Sequence, residues 1–538
     1  MKIVLCQINS LVGDCEKNFE KILNFYNKSI LLKPDIIVFP ELSMVGYPPQ
    51  DLLFENGLIN DNLHFLNKIA NLSTIPIILG FVRRDGDQLF NSAAICFDGE
   101  IQDTYDKILI PTYDVFDESR YFKSGKLKNL FEIPLNNSTI KVGIQICEDL
   151  WDSGYGYKVS KEQKDLGAEL IINISSSPFS LNRTLERFDT ISYKIDDLNI
   201  PFVYCNMVGG QDELIFDGAS MALNNKGHLI AEGKSFEEDL IFVDFKKLKK
   251  NKLKVYSKEE QVYNALCLGV KDYFSKTNHS NALIGLSGGI DSALVTCIAS
   301  EALGASKVHT VSLPSKYSSS HSIEDAKRLS ESLEVDHRII EIVDTVNTLE
   351  NTLKPHFVGY NIDVTEENIQ ARVRGNILMA LSNKFNWMLL STGNKTEMAL
   401  GYCTLYGDMS GGLSVISDLN KIDVYSLANW INKKYPNRIP RNTIEKLPSA
   451  ELATDQFDPF DYEIISPLVD AIIEERKSPE ELIKSGFDKM LVISTYNRIR
   501  FMEYKRRQSP IGLRISKKAF GMGRRMPIVN HYKGSQND

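Results

Sequence analysis

The 538-residue chain is short of most features that mark secreted, membrane-spanning or metal-stapled proteins. Its eight cysteines (6, 15, 96, 147, 205, 267, 297 and 403) are scattered and form no C-x-x-C pair. That excludes a zinc-knuckle spacing, argues against a disulfide framework and points to a reducing, cytoplasmic compartment. No apolar run reaches the ~20 residues of a membrane span. The opening residues, MKIVLCQINS, lack the apolar core and small-residue cleavage site of a secretory signal. A formal net charge of -8 argues against wholesale nucleic-acid binding, which needs an excess of Lys and Arg. Internal repeats and low-complexity tracts are missing, and so is a mononucleotide P-loop. The nearest approach, Gly227…Gly233-Lys234-Ser235, has one residue too many between its glycines.

What is present is enough to build large cores: 43% of residues are hydrophobic and 25% charged. The first half alternates β-rich runs with helical stretches. KIVLCQI, DIIVFPELS, IPIILGFV, SAAICFD, KVGIQICED, AELIINISSS and PFVYCNMVGG are apolar throughout rather than alternating, which predicts strands buried on both faces. FDGASMALNNKGHLIAEG predicts a hairpin turning near Asn225-Lys226-Gly227. KKLKKNKLK, Lys246 to Lys254, reads as a solvated linker. From Glu260 a helical period resumes, and NALIGL, KVHTVSL and WMLLST alternate with helices. A second α/β domain with a largely parallel sheet follows from that pattern. The boundaries expected are 1–245, a Lys-rich linker over 246–260, and 261–538.

In LIGLSGGIDSA, Leu283 to Ala293, an apolar strand runs through two glycines into a helix. Glycines let backbone approach a ligand closely, and a helix N-terminus offers unpaired N–H groups to an anion. The SGGIDS loop resembles that of the ATP pyrophosphatases, which adenylate a substrate and release pyrophosphate. LPSKYSSSHS, TEENIQARVRGN, STGNKTEMALGYCTLYGDMSGG, KIDVYSLA and EYKRRQSPIGLRISKKAFG extend the resemblance to the NAD⁺ synthetase family over most of residues 260–530. The resemblance implies ATP contacts at Gly285, Leu286, Ser287, Gly288, Gly289, Ile290, Asp291, Ser292, Thr392, Lys421 and Ser449. It implies deamido-NAD⁺ contacts at Asn368, Arg372, Glu397 and Lys505, and Mg²⁺ held by Asp291 and Glu397. Leu405 stands where some ammonia-only relatives carry lysine, and no role is carried to it. The remaining basic residues of the tail are either substrate partners or a solvated charged end.

Free ammonia is mostly ammonium at neutral pH, much as an alkylamine of pKa ~10 is protonated. An amidating site therefore gains from ammonia made in place. Cys147 follows KVGIQI, Glu41 follows DIIVFP, and Lys107 follows a third strand pattern. An unassisted thiol of pKa ~8.5 is only a few per cent thiolate, so it needs a base. Carboxylate, ammonium and thiol at three strand ends resemble the Glu-Lys-Cys triad of the nitrilase superfamily. Residues 1 to about 245 thus look like a nitrilase-type glutaminase. The other seven cysteines read as small core residues. The same family match implies glutamine contacts at Tyr113, Ser177 and Arg183, with the contacting serine open within Ser175–Ser177.

The whole chain resembles a glutamine-dependent NAD⁺ synthetase, a carbon–nitrogen ligase acting on deamido-NAD⁺, ATP and L-glutamine. The implied fold is α/β: an N-terminal nitrilase-like α-β-β-α sandwich and a C-terminal Rossmann-like parallel sheet. The resemblance also implies a homo-oligomer with a dimeric synthetase core, tetramer and octamer both being open. An asparagine-synthetase type would need an N-terminal cysteine, where this chain has Lys2 after Met1. Two alternatives stay open at this level: a synthetase using free ammonia beside an inert nitrilase-like half, and a first half that serves only as an oligomerising scaffold.

Overall fold

The computed structural model describes residues 1–127, 130–135, 138–246, 251–454 and 456–532, so part of the Lys-rich stretch, 247–250, lies outside the described residues. The chain divides into two compact units, Met1–Ser257 and Lys258–Asp538. The helix Lys258–Lys276 opens the second unit. Asn251 and Lys254 bond back to Leu229, Ile230 and Glu232 of the first.

The first unit contains two six-stranded sheets. One runs in the spatial order Asp239–Asp244, Lys2–Gln7, Ile36–Val38, Ile77–Asp85, Gln88–Phe97, Glu100–Asp106. The other runs Leu229–Glu232, Met221–Leu223, Phe202–Asn206, Leu170–Ser175, Ser138–Ile146, Phe131–Leu135. In each, parallel pairings at the centre are flanked by antiparallel ones. The strand Lys2–Gln7 shows how the layers arise. Ile3 and Leu5 enter a core shared with Ile144, Ile146, Ile172 and Ile174 of the other sheet. Val4 and Cys6 take the opposite face, against Ile22 and Phe25 of helix Cys15–Ile30 and Leu66 and Ile69 of helix Asn56–Leu72. Burial on both faces is why the strand reads as an unbroken apolar run. Helix Arg183–Leu198 covers the second sheet with Ile191, Ile195 and Leu198, one helical face at i, i+4, i+7. The result is the expected α-β-β-α sandwich, and the hairpin turns over Asn224–Gly227.

Several strands lie outside the apolar runs by which the sequence was read, among them Asp239–Asp244 at one edge of the first sheet. Glu100–Asp106 is an edge strand with mostly polar, exposed side chains. Phe131–Leu135 is interrupted by Pro134. The pair Val208–Gln211 and Leu214–Asp217 is a small separate ribbon.

The second unit is built on six parallel strands in the order Asp336–Ile339, Val308–Ser312, Ala282–Gly285, Met388–Ser391, Leu413–Ser414, Ile511–Gly512. Helices Val343–Leu353 and Val364–Phe385 pack Val346, Ile369 and Val373 onto Leu283, Val311 and Leu389. Chain direction across the sheet reverses between Ala282–Gly285 and Met388–Ser391. In open α/β sheets that crevice, beyond the carboxyl ends of the strands, is where ligands bind.

Gly80 sets one of the close approaches on which the first unit depends. A Cβ there would lie 2.2 Å from the Leu42 nitrogen and 2.5 Å from the Pro40 oxygen. Gly57, in a helix, has nothing within 4 Å of a built Cβ. Gly80→Ala should therefore destabilise the first unit by about 1–3 kcal/mol, while Gly57→Ala should be neutral or stabilising by up to about 1 kcal/mol. Calorimetric unfolding of both variants checks this, and matching midpoints would show that the Pro40–Leu42 turn shifts freely.

Candidate active sites

In the first unit three strand ends converge. Glu41 follows the strand Ile36–Val38, Lys107 follows Glu100–Asp106, and Cys147 follows Ser138–Ile146. All three side chains are buried. Lys107 Nζ donates to Glu41 Oε1 at 2.8 Å and to both oxygens of Glu118 at 2.9 and 3.0 Å. Asn91 Nδ2 bridges the same two carboxylates, at 2.8 Å to Glu41 and 3.3 Å to Glu118. Ser176 N–H donates to the other Glu41 oxygen at 2.7 Å. Tyr47 OH donates to Glu118 at 2.9 Å.

Cys147 opens a short 3₁₀ turn, Cys147–Leu150, with a left-handed backbone, φ +43°. A non-glycine residue held there is strained, and such strain is a way of presenting a nucleophile. Asp149 holds the turn. Its carboxylate accepts from Ile146 N–H at 3.0 Å, Ile108 N–H at 3.2 Å, Leu109 N–H at 2.9 Å and Tyr105 OH at 2.8 Å. One buried group therefore ties the Cys147 turn to the segment just after Lys107. Burial raises Asp149 to about 6 despite these donors.

Burial also pushes the Cys147 thiol well above its ordinary range; the Glu41 charge adds to this and Lys107 opposes it. Burial alone would discharge Lys107, but Glu118 and Glu41 keep it charged, with its pKa well above the usual value. The resting thiol is thus neutral, beside a permanent cation and a carboxylate.

The implied glutamine contacts lie around the same turn. Tyr113 OH donates to Glu148, next to the cysteine, at 3.0 Å, and Tyr155 OH to the same carboxylate at 2.9 Å. The Arg183 guanidinium stacks over Trp151, 4.1 Å from its centroid, and bonds Glu186 at 3.1 Å. Ser177 is buried, and its carbonyl accepts from Arg187 at 2.8 Å. Arg187 in turn forms a fully buried pair with Asp217, its Nη1 donating to both carboxylate oxygens at 2.8 and 2.9 Å. The serine touching Glu41 is Ser176.

In the second unit, a cleft opens at the switch point of the sheet. Its lining includes Ser287, Gly289, Ile290, Asp291, Ser292, Thr392, Glu397, Lys421 and Ser449. Gly285, Leu286 and Gly288 are not part of that lining. Leu286 is fully buried, and Gly288, at φ +82°, would put a Cβ 2.2 Å from the Ser322 carbonyl oxygen. Gly289 precedes the helix Ile290–Leu303, which brings a helix N-terminus and its dipole to the cleft lining, while the Ser287 and Gly289 N–H groups bond the hydroxyls of Ser292 and Ser287 at 3.3 and 3.2 Å. Capping places the charged groups. Asn394 caps helix Lys395–Leu400, with Glu397 completing the capping box, and Asn420 caps Lys421–Lys434. Lys421 Nζ then reaches Asp291 at 2.6 Å and Glu397 at 3.5 Å, and Asn394 donates to Asp291 at 3.0 Å.

The remaining predicted contacts gather on the loop after helix Lys395–Leu400. Asn368 accepts from Thr404 Oγ1 at 2.7 Å, Arg372 donates to the Leu405 carbonyl at 3.2 Å, and Lys505 donates to the carbonyls of Gly401 and Cys403 at 2.8 and 2.7 Å.

Comparison with known proteins fits this division. A carbon–nitrogen hydrolase model matches residues 2–248 and an NAD synthase model residues 262–509. The chain is 41% identical to the glutamine-dependent NAD(+) synthetase of Thermotoga maritima, covering 99% of each, and 39% identical to that of Synechocystis sp., covering 99% of this chain and 100% of the relative. The chain belongs to the glutamine-dependent NAD⁺ synthetase family. The ADP complex of the Acinetobacter baumannii glutamine-dependent NAD⁺ synthetase superposes with a TM-score of 0.79 at 37% identity, over 98% of both chains.

Against this family background, several residues of the sites escaped the sequence reading. Glu118 sits in a one-turn 3₁₀ helix within a polar segment, and Asp149 and Arg187 resemble ordinary surface charges until burial is known. Of the seven cysteines read as core residues, Cys6, Cys15, Cys96, Cys205 and Cys297 are buried. Cys267 and Cys403 are only partly buried, and Cys403 lines the synthetase cleft.

Glu397 carries a pH signature. Burial, and then the Asp291 charge, raise its carboxyl from 4.5 to about 8, against the pull of Lys421. Between those values the folded, ligand-free protein holds a proton that the unfolded chain has lost, so stability falls as pH rises from 4.5 to about 8. Glu397→Gln removes this dependence. Relative to wild type, the variant should gain in unfolding midpoint across that interval. A constant difference between the two would refute the raised carboxyl.

Proposed function

We infer that the two sites perform the two halves of glutamine-dependent NAD⁺ synthesis, with residue roles as follows. Cys147 Sγ attacks the carboxamide carbon of glutamine while Glu41 takes the thiol proton. The oxyanion develops beside the Lys107 ammonium. Collapse breaks the C–N bond, Glu41 returns the proton to nitrogen, and ammonia leaves a thioester. Water, deprotonated by Glu41, then releases glutamate. Tyr113 and Arg183 border the substrate, Arg183 being the natural partner of its α-carboxylate. Ser176 or Ser177 contributes from the serine run.

In the cleft of the second unit, the nicotinate carboxylate of deamido-NAD⁺ attacks the α-phosphorus of ATP and pyrophosphate departs. Ammonia then attacks the adenylate carbonyl, and AMP, a far better leaving group than oxide, is expelled. Ser287, Gly289 and Ser292 hold the ATP phosphates, with Thr392 and Ser449 beside them. Asn368, Arg372 and Lys505 lie along deamido-NAD⁺. Mg²⁺ fits the donor set, because Asp291 and Glu397 already share one cation, the Lys421 ammonium, at 2.6 and 3.5 Å. Among the described residues no cluster of three or more metal-ligating side chains stands ready. Two carboxylates completed by phosphate and water is the usual Mg²⁺ arrangement. Bound there, the ion neutralises charge on the triphosphate. No described helix is long and apolar enough to cross a membrane, and all eight cysteines are unpaired, which supports a cytoplasmic place of action.

The observation that carries this reading over an ammonia-only enzyme or a scaffold is the buried Glu41–Lys107 pair at 2.8 Å, with both charges acting on Cys147. An inert half has no reason to bury an ammonium beside a thiol. Cys147→Ala should lower glutamine-supported NAD⁺ formation by on the order of 10³-fold or more while ammonium-supported turnover persists. A glutamine-to-ammonium ratio near that of wild type would remove Cys147 from the mechanism. Asp291→Asn should cut turnover with either nitrogen source by roughly 10²-fold or more. Near-normal ammonium-supported turnover at ordinary Mg²⁺ would take Asp291 out of the phosphate site.

A further inference from the structure

The basic C-terminal segment is only partly accounted for by the synthetase cleft. Much of the rest surrounds a second cavity of about 320 Å³ in the same unit, which shares no lining residue with the cleft. Arg476, Lys477, Arg500, Lys518, Arg524 and Arg525 all line it, and among the described residues no Asp or Glu does. The remaining lining is largely apolar or aromatic, from Ile472, Ile473, Ile499, Tyr496 and Met526.

Among the described residues, the carboxylates found against these cations are few. The single carboxylate of Glu503 accepts from three guanidiniums: Arg506 at 3.0 Å, Arg507 at 3.3 Å and Arg524 at 2.7 Å. Arg500 donates to neutral groups, the Tyr532 carbonyl at 2.7 Å and the Tyr496 hydroxyl at 2.9 Å. Lys518 donates to the Gly523 carbonyl. Lys477 pairs with Glu475 at 2.6 Å, outside the lining. Burial, with the like charge of Arg500, holds the Arg524 guanidinium below its usual range. Cations concentrated on a concave, partly apolar surface repel one another and focus a positive potential into the cavity. Guanidiniums match phosphate oxygens in bidentate fashion. The volume is at the small end of ligand sites, about 300–1,000 Å³, suited to a diphosphate with a compact substituent rather than to a whole dinucleotide.

We propose that this cavity is a second anion site, taking a diphosphate-bearing small molecule, with Arg476 and Arg500 on the phosphate oxygens and Tyr496 against the substituent. The diphosphate can belong to free pyrophosphate or to a nucleotide, and two ligands separate these sources. Calorimetric titration of the full-length protein with inorganic pyrophosphate, and separately with ADP, is compared between wild type, the double variant Arg476→Ala with Lys477→Ala, and Arg500→Gln. In at least one arm, the double variant should lose one equivalent of ligand per chain, and Arg500→Gln should bind that equivalent at least 10-fold more weakly. Ammonium-supported turnover of the double variant should stay at the wild-type level, since neither residue lines the cleft. Loss in the pyrophosphate arm identifies the free diphosphate, and loss in the ADP arm alone identifies a nucleotide. The proposal is overturned if wild type and double variant bind equal equivalents of both ligands up to roughly 1 mM. It is overturned equally if sulfate at matched ionic strength displaces the extra equivalent, which would make the cavity an unselective cation patch.

Discussion

A buried ammonium shared between carboxylates is the constraint on which the first unit is organised. Lys107 has no exposed side-chain surface and lies against Glu41, itself fully buried, and Glu118. Taking such charges out of water costs several kcal/mol per ion, and attraction offsets that only when the remaining donors and acceptors are also satisfied. Asn91, Tyr47 and the Ser176 N–H supply those partners. Because Ser176 follows a strand of the second sheet and Glu41 one of the first, the network stitches the two sheets together at the point where the thiol is displayed. Removing Glu118 would leave the lysine under-compensated, a loss that in buried pairs runs to about 3–5 kcal/mol. The geometry that positions Glu41, the proposed base, is thus the same geometry that keeps a buried charge tolerable.

The second unit repeats the device with a different balance. Lys395 is buried among Asp418, Asp470 and Glu474, at 3.6, 2.9 and 2.5 Å. Asp418 also accepts the backbone N–H groups of Ile515 and Ser516 at 2.8 and 2.7 Å. That closed network fixes the helix carrying Glu397 against the C-terminal strand region. Lys421, by contrast, faces Asp291 and Glu397 across an open cleft, where a ligand can rearrange the charges. The cleft thus mixes carboxylates with Lys421 and Lys446, whereas the described lining of the second cavity carries cations without a carboxylate.

Legibility in the sequence followed from a simple physical pattern. Glu41, Lys107 and Cys147 each stand just past an apolar run or strand pattern, and for Glu41 and Cys147 the strand is buried at its end, so that a reactive side chain following it is held at the rim of the sheet. The glycine loop was legible for a related reason, since two glycines between strand and helix have few other uses. Glu118, Asp149 and Arg187 carry no such marker. Their surroundings are polar segments and an amphipathic helix, and only long-range packing turns them into buried partners. Arg187 lies one turn before Ile191 on the buried face of its helix, but a charged side chain there gives no sign of its partners, and it is fully buried because Asp217 and the serine run meet it from another part of the fold. The edge strand Glu100–Asp106, just before Lys107, left only a weak pattern for the inverse reason: one exposed face and an open edge remove the apolar continuity by which the other strands were read.

The state of the thiol follows from these placements. Burial and the neighbouring carboxylate keep Cys147 protonated at neutral pH, so the proposed nucleophile would be generated during attack rather than held ready. Both Glu41 oxygens already accept hydrogen bonds, from Lys107 and Asn91 on one side and Ser176 on the other. The base is therefore fixed in orientation as an acceptor. In the proposed mechanism, proton transfer to Glu41 removes one of the negative charges around Lys107 at the moment an oxyanion forms. The ammonium can then shift its attraction from the carboxylate to the new charge without leaving its position. Preorganisation of this kind needs no reorientation of solvent, and it depends on the lysine being buried, which returns the argument to the pairing that makes its burial possible.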